Sequence, residues 1–391
     1  MDLSRDKRRD GQIIEALQGG ESWDSVAARL HCSKRAVSRM AKQLRGERMP
    51  EVYQTLAAEN RRLHAAVLRL RDQRDIIEQI ITAAAAAMPK AQPIRPGRRT
   101  ATKLDQEFHA LRGDEQAGAK VEAIDTNGIG SYNLEKYAQY VELWVQKILQ
   151  FKREDERALG LNKLVIAHLG DWIEGESIYP GQPFHIVDNI SNVIFNHVLP
   201  LEIEAIRILS NVFAEIEIFC ITGNHGRAGR KGEHHWHSSF EYMLLRMLRF
   251  ALKPLENVRV YVSESVSMLV RHGGFTFCYD HGAHLQSNYG VPYYSLDRTY
   301  KALPNLYNQI IDVYVTGHKH TPTNLSDHVI MNGAFQGASD LSVNKLKCHA
   351  RPVQKVFYLD REKGINRKTD IYLEDRPKLI ADKHGIFTPY I

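Results

Sequence analysis

Apolar runs far apart along this chain all stop at residue types that bind metal ions. Leu164, Val165, Ile166, Ala167 and Leu169 have the character of a strand buried on both faces, and the run halts at Gly170 to deliver Asp171. The run from Ile218 ends in Gly223-Asn224-His225, the run from Phe275 in Asp280-His281-Gly282, and the run from Ile311 in Gly317-His318-Lys319-His320. Alone, a carboxylate at a strand end reads as the N-cap of a following helix. Four such ends in one chain favour a shared cation instead, because a carboxylate taken out of water needs a positive partner. Open α/β sheets gather their chemistry at the carboxyl ends of the strands.

The alternation of strand-like and helical stretches from residue 104 onward predicts an α/β domain. Strands are expected near 107–112, 163–169, 216–222, 258–262, 311–316, 328–332 and 355–359, with a hairpin over 266–280 turned at Gly273-Gly274. Helices are expected near 133–157, 188–214, 237–252 and 295–310, an aromatic loop over 285–296, and an irregular tail over 376–391. With 391 residues, more than one domain is expected. The four cysteines are scattered and form no C-x-x-C pair, so neither a disulfide framework nor a zinc knuckle is indicated; three read as small buried thiols, and a reducing cytoplasm fits. The charged start lacks an apolar segment after it, so no secretory signal is expected, and no apolar run is long enough to span a bilayer.

The formal charge of +6 suits a polyanionic partner, and the first 50 residues carry eleven Lys or Arg against seven Asp or Glu. Ile13, Ile14 and Leu17 give a first amphipathic helix, Gly19-Gly20 ends it, and Ser22 is placed to cap a second. Ala27 is small where two helices would cross, Leu30 and Cys32 flank a turn, Ser33 caps a third helix, and Val37, Met40, Ala41 and Leu44 face inward. Residues 1–50 thus resemble a DNA-binding helix-turn-helix, with His31 where a turn glycine is usual; the bland alternative is a helical bundle with a solvated basic face. The resemblance would place Lys34, Arg35, Ser38, Arg39 and Lys42 against DNA. Over 51–88 a sevenfold spacing of Leu56, Leu63, Leu70 and Ile77 predicts a coiled coil. Asn60 in its seam selects two strands, so a homodimer through 51–82 is expected; one long helix packed on its own chain is the alternative, and Arg74 weakens the seam. Residues 89–104 read as a basic, proline-rich linker that either tracks a phosphate backbone or stays solvated.

Read in order, Gly113-Asp114-Glu115-Gln116, Gly170-Asp171, Gly223-Asn224-His225, Asp280-His281-Gly282 and Gly317-His318-Lys319-His320 resemble the motifs of the calcineurin-like metallophosphoesterase superfamily, over roughly 105–360. Within it, the attached helix-turn-helix leans the resemblance toward the DNA-repair exonuclease branch. The resemblance implies a β-sandwich flanked by helices over 105–375 and a pair of divalent cations. Mn²⁺ suits the mixed carboxylate, amide and imidazole donors, and Mg²⁺, Fe²⁺ and Zn²⁺ remain compatible. It implies that Asp114 and His320 hold the first cation, that Asp171 bridges both, and that Asn224, His281 and His318 complete the second. His225 would protonate the leaving oxygen or steady the transition state. The chain departs from the family where Gln116 replaces the histidine of Asp-x-His, giving a neutral, weaker amide donor. It departs again at Gly226, where an acidic residue commonly follows Asn-His and steadies the histidine.

Other residues read two ways. His168 alternates onto the opposite strand face and reads as a core histidine, and His284 is an alternative to His281. Arg227, Arg230 and Lys231 follow His225 and could grip phosphates, or could line a solvated loop ahead of His234, His235 and His237. Tyr289, Tyr293 and Tyr294 could stack on bases, though packing is the plainer reading. The expectation is a dimeric, Mn²⁺-dependent DNA nuclease with an N-terminal reading head, an arrangement suited to a mobile element or phage. A motor ATPase partner is raised by the branch but specified by no motif. The alternatives are a phosphatase or cyclic-nucleotide phosphodiesterase with the same site, or a DNA-binding regulator whose phosphoesterase domain has decayed.

Overall fold

The computed structural model describes residues 105–375 apart from 177, 234 and 288–291, together with 380–381, 387–388, 91–92, 95–98 and a scatter of positions between 12 and 79. The chain divides into two compact units, Met1–Glu78 and Gln79–Ile391. In the first, helix α1 (Trp23–Arg29) begins beside Ser22, whose hydroxyl accepts the Ser25 N–H at 3.3 Å. Ile13, Val26, Ala27 and Val37 share a small core, three of them at positions expected to face inward. Arg35 is exposed and Ser38 half-buried on helical turns. Lys34, Arg39, Lys42 and the seam of the expected coiled coil lie outside the described residues.

In the second unit two sheets face each other. One has six strands in the order β11-β10-β1-β2-β3-β4 and the other five in the order β5-β6-β7-β9-β8. The first is built on parallel β1 (Glu107–Arg112), β2 (Lys163–His168), β3 (Glu215–Cys220) and β4 (Val258–Val262), with antiparallel β10 (Val353–Asp360) and β11 (Gly364–Tyr372) added at one side. The second contains the hairpin β5 (Ser267–His272) and β6 (Phe275–Asp280), then β7 (Val313–Thr316), β8 (Thr323–Leu325) and β9 (Val329–Met331). Leu111, Val165, Ala167 and Phe219 of one sheet interlock with Phe277, Tyr279, Val315 and Ile330 of the other. This is the mixed α/β sandwich that the resemblance implies.

Alternation along each strand sends the other side chains to flanking helices. Helices α2 (Leu134–Leu159), α3 (Leu199–Ser210) and α4 (Phe240–Ala251) cover the six-stranded sheet, where Phe108 meets Phe151 and Phe213. Helix α5 (Tyr293–Tyr307) covers the five-stranded sheet through Leu296 and Leu303, which join Cys278, Tyr314 and Met331. Asn133 caps α2 by accepting the Lys136 N–H at 2.9 Å, and left-handed Gly160 ends it. A π-helical stretch, Val193–Val198, leads into α3 because Pro200 has no N–H to close the ordinary ladder.

Several expectations are corrected here. Strand β11 is absent from the expected strands; it pairs with β10 at the sheet edge, where polar side chains face solvent. Residues 380–381 and 387–388, expected as irregular tail, pair as the short strands β12 and β13. Tyr293 and Tyr294 belong to α5, and both are exposed, so they are not core packing. Cys220 and Cys278 are buried thiols but Cys348 is exposed. Part of the expected linker is docked: the Gly97 N–H donates to the Ser210 carbonyl at 3.0 Å, and the Ala91 N–H to the Ala251 carbonyl at 3.3 Å. Among the described residues no helix is long and apolar enough to cross a membrane.

Candidate metal centre

Parallel pairing sets Arg112, His168, Cys220 and Val262 at one level, so the segments that follow leave the first sheet at the same end. In the second sheet Asp280 and Thr316 end together in the same way. The residues just beyond are left-handed: Asp114 (φ 52°), Gln116 (45°), Asp171 (56°), His318 (70°) and His320 (53°) are five of the nine non-glycine residues with positive φ among the described residues. Each such conformation costs about 1–3 kcal/mol and persists where surrounding structure enforces it, commonly at functional sites. Two glycines make the gathering sterically feasible. A side chain on Gly223 would collide with Asp171 Oδ1, and one on Gly317 would come within 2.6 Å of Asp114 Oδ2.

Asp171 Oδ1 accepts the backbone N–H of Asn224 at 2.5 Å and of His225 at 2.6 Å, while Asp114 Oδ2 accepts that of His318 at 2.7 Å. Each buried carboxylate therefore has one oxygen held by backbone, while the other, Asp171 Oδ2 or Asp114 Oδ1, is turned toward a histidine ring nitrogen. His281 Nε2 stands 2.9 Å from Asp171 Oδ2, 3.2 Å from His318 Nδ1 and 3.1 Å from Asn224 Oδ1. Its Nδ1–H donates to the Leu169 carbonyl at 2.7 Å, fixing the tautomer that frees Nε2 for a cation. Ligand atoms bound about 2.1 Å from one ion lie roughly 3.0–3.5 Å from each other, close to the 2.9 and 3.2 Å that separate His281 Nε2 from Asp171 Oδ2 and His318 Nδ1. Beside them, His320 Nε2 is 3.3 Å from Asp114 Oδ1 and 3.5 Å from Gln116 Nε2. The donor set fits one cation on Asp171, His281, His318 and Asn224, and another on Asp114 and His320, where Gln116 turns its amide nitrogen and not its oxygen toward His320.

The electrostatics describe the same competition between proton and cation. Burial opposes ionisation of Asp171, but His281, His225 and the His225 N–H outweigh it and hold the carboxyl well below its ordinary range. Burial also disfavours a charged His281, yet Asp171 pushes it up to about 10. His318, desolvated and facing His281, is pushed down to about 3 and stays neutral. A cation must therefore displace a proton from His281 Nε2. Divalent-cation affinity should rise about tenfold per pH unit between pH 6 and 8, as release of one proton requires. Chelator competition at several pH values checks this, and a pH-independent affinity would contradict it.

Sequence reading missed the residues that steady this centre. His225 Nδ1 lies 2.7 Å from Glu174 Oε2, and Glu174 Oε1 accepts from Gln182 Nε2 at 2.5 Å. The orientation left open by Gly226 is thus supplied by Glu174, three residues after Asp171. At Gly226 itself a side chain would meet Glu241 Cβ at 2.6 Å. Glu241 ties two ligand loops together, its Oε1 accepting the Trp172 N–H at 3.0 Å and its Oε2 the Gly223 N–H at 2.9 Å.

Beneath the loop of Asp114, the fully buried Arg112 donates to Glu115 through Nε at 2.9 Å and Nη2 at 2.5 Å, and to Glu202 through Nη1 at 2.5 Å. His168 sits on this helix-facing side, 3.4 Å from Glu202 and stacked on Trp172, away from the ligands. Replacing Arg112 with leucine would leave two glutamates buried without a counter-charge. A loss of about 3–5 kcal/mol is expected; denaturant unfolding checks it, and a loss under about 1 kcal/mol would contradict it.

The remaining candidates fall outside the cluster. His284 is half-exposed and pairs with Asp280 at 3.6 Å, leaving His281 as the histidine in place. Arg227 is half-buried next to the Asn224-His225 turn, and Arg230 and Lys231 are exposed. His237 lies 3.4 Å from Glu264, and His234 and Tyr289 lie outside the described residues.

No family model matches the chain, and no curated protein matches it. Among solved structures it is similar to a conserved uncharacterized protein of Streptococcus pneumoniae, titled a predicted phosphoesterase, at 12% identity over 68% of this chain and 98% of that one, with a TM-score of 0.25. It is likewise similar to Vps29 of Entamoeba histolytica complexed with zinc (9% identity, 68% and 99% covered, TM-score 0.27) and to a hypothetical protein of Pyrococcus horikoshii (13%, 68% and 88%, TM-score 0.35). Likenesses at this level carry no weight for function, so the chemistry is read from the chain's own residues.

Proposed function

We propose that the chain is a divalent-metal-dependent phosphoesterase that hydrolyses phosphodiester bonds of DNA, with Mn²⁺ as its metal and the N-terminal unit as its DNA-binding head. The observation that carries the reading is the meeting of Asp171, His281 and His318 within 4.8 Å, each offering a ligand atom from a different strand end. Bound cations supply Lewis-acid neutralisation of phosphate charge and acidify water for in-line attack. The protein's own groups do the rest. Asp171 and Asp114 present one oxygen each toward the site, the other being held by backbone N–H groups. His225 carries a proton: burial disfavours its charge, but Asp171 and Glu174 push it up to about 9. With Nδ1 held by Glu174, its Nε2–H is the proton to pass to the leaving oxygen as the ester P–O bond breaks and a water oxygen bonds to phosphorus.

Arg227 beside His225 and the exposed Arg230 favour a polyanionic substrate. Dimerisation through 51–82 would pair two reading heads and strengthen binding to two-fold sites. Incubation with supercoiled DNA, linear duplex, single strands and a chromogenic phosphodiester, across Mn²⁺, Mg²⁺, Fe²⁺ and Zn²⁺, tests the proposal. DNA cleavage, fastest with Mn²⁺, is expected. Cleavage of the small ester alone would retire the nuclease in favour of a phosphatase or cyclic-nucleotide phosphodiesterase, and no hydrolysis at all would favour the decayed regulator.

A further inference from the structure

At the opposite end of the sandwich, a second cluster of ligand-type side chains is sealed in the core. Glu107 opens β1, His109 follows on the same face, and His272 closes β5 on the other sheet; all three are at most 2% exposed. Glu107 Oε2 lies 3.3 Å from His109 Nε2 and 3.5 Å from His272 Nδ1, and the three ligand atoms fall within 4.8 Å of one another. Two ligands bound at about 2.1 Å to a tetrahedral ion stand roughly 3.4 Å apart, so both carboxylate-to-imidazole distances match an edge of that tetrahedron.

The hydrogen bonding leaves room for a cation. Tyr279 Oη is 3.0 Å from His272 Nε2: if the Tyr279 O–H donates, His272 Nδ1–H points at Glu107 Oε2, whereas an Nε2–H donated to Tyr279 leaves the Nδ1 lone pair facing that oxygen. In the second tautomer two acceptors confront each other in a dry core unless a cation lies between them; at 3.5 Å His272 Nδ1 makes no hydrogen bond, and His109 Nδ1 has no partner either. An unmet buried polar atom costs about 1–3 kcal/mol. The other carboxylate oxygen, Oε1, is served separately by Lys163 Nζ at 3.6 Å and Arg361 Nε at 3.4 Å. Those two cations also face Glu217 at 2.6 Å and Asp105 at 3.9 Å, so with neutral imidazoles the group of five charges sums to one negative.

We propose that Glu107, His109 and His272 form a buried metal site for a zinc-class divalent cation that pins the two sheets together. Two imidazoles and one carboxylate are ordinary zinc donors, and the Tyr279 contact supplies the outer hydrogen bond that orients a ligating histidine. The site is independent of the strand-end centre, lying roughly 17–20 Å away along the six residues of β1.

The test uses tag-free, full-length protein in which both groups of strand-end ligands are disabled by Asp171→Asn, His281→Gln and His320→Gln. After loading with Zn²⁺ and desalting, about one zinc per chain should remain, and Co²⁺ in its place should give the intense visible bands of a site of low coordination number. Adding His272→Phe should abolish both the retained zinc and the bands. Absence of retained zinc and of cobalt bands in the folded parent would overturn the site and leave a hydrogen-bonded Glu-His pair. Zinc retention unaffected by His272→Phe would place the ion elsewhere and overturn it equally. Should the His272 variant fail to fold, Glu107→Gln, which keeps the side chain's volume, takes its place, and zinc and cobalt bands retained there would overturn the site.

Discussion

Substituting Asp171 with alanine should lower phosphodiester hydrolysis by at least about 10³-fold while the protein stays folded. The carboxylate stands 2.9 Å from His281 Nε2 and shares a ligand group with His318, and its Oδ1 also anchors the backbone of Asn224 and His225. One change therefore removes a ligand of the proposed centre and loosens the turn that carries the proposed acid. Bound metal should fall in parallel. Asp171→Asn separates the two effects, because an amide oxygen still accepts the backbone N–H groups but lacks the charge that draws a cation. Both variants should be close to inactive. Full activity in either would mean that the strand-end carboxylate serves as a loop clamp alone.

The second large effect is expected at His225. His225→Ala should slow hydrolysis of a diester with a poor leaving group, such as DNA, by about 10²–10⁴-fold, the range for loss of a positioned general acid. With a nitrophenolate leaving group, which departs without a proton, the loss should shrink to under about tenfold. Metal content should be unchanged, since His225 Nδ1 is committed to Glu174 and Nε2 stands 3.9 Å from Asp171 Oδ2. Equal losses on both substrates would make His225 a binding group and not the proton donor.

The strand ends were legible because two signals coincide there. A strand buried on both faces shows as an unbroken apolar run, and a glycine at its end marks where a ligand loop must approach another loop closely. The outer framework was harder to read for physical reasons. Strand β11 carries Asn366, Arg367, Lys368 and Asp370, because an edge strand facing water has no apolar signature. Helix α5 starts earlier than its periodicity suggested, at Tyr293 and Tyr294, whose exposure puts no constraint on the apolar pattern.

The supporting groups of the site were the least visible. Glu202 and Glu241 lie on helices, where a glutamate ordinarily reads as a solvated face, yet both are buried. Arg112 ends a buried strand and would pass for a misplaced charge until Glu115 and Glu202 are brought to it from 3 and 90 residues away. Only Glu174 had a local cue, its three-residue offset from Asp171, which puts it on the same loop as the ligand. Burying these charges is costly unless partners meet them, so their value depends on tertiary contacts that no window of sequence contains.

The most direct test is an anomalous-scattering map from crystals of the protein soaked in Mn²⁺. A peak roughly 2.1 Å from Asp171 Oδ2, His281 Nε2 and His318 Nδ1 is predicted, with a second, weaker peak beside Asp114 and His320, where Gln116 is the poorer donor. No peak among these residues, with Mn²⁺ bound elsewhere or not at all, would contradict the shared-cation centre.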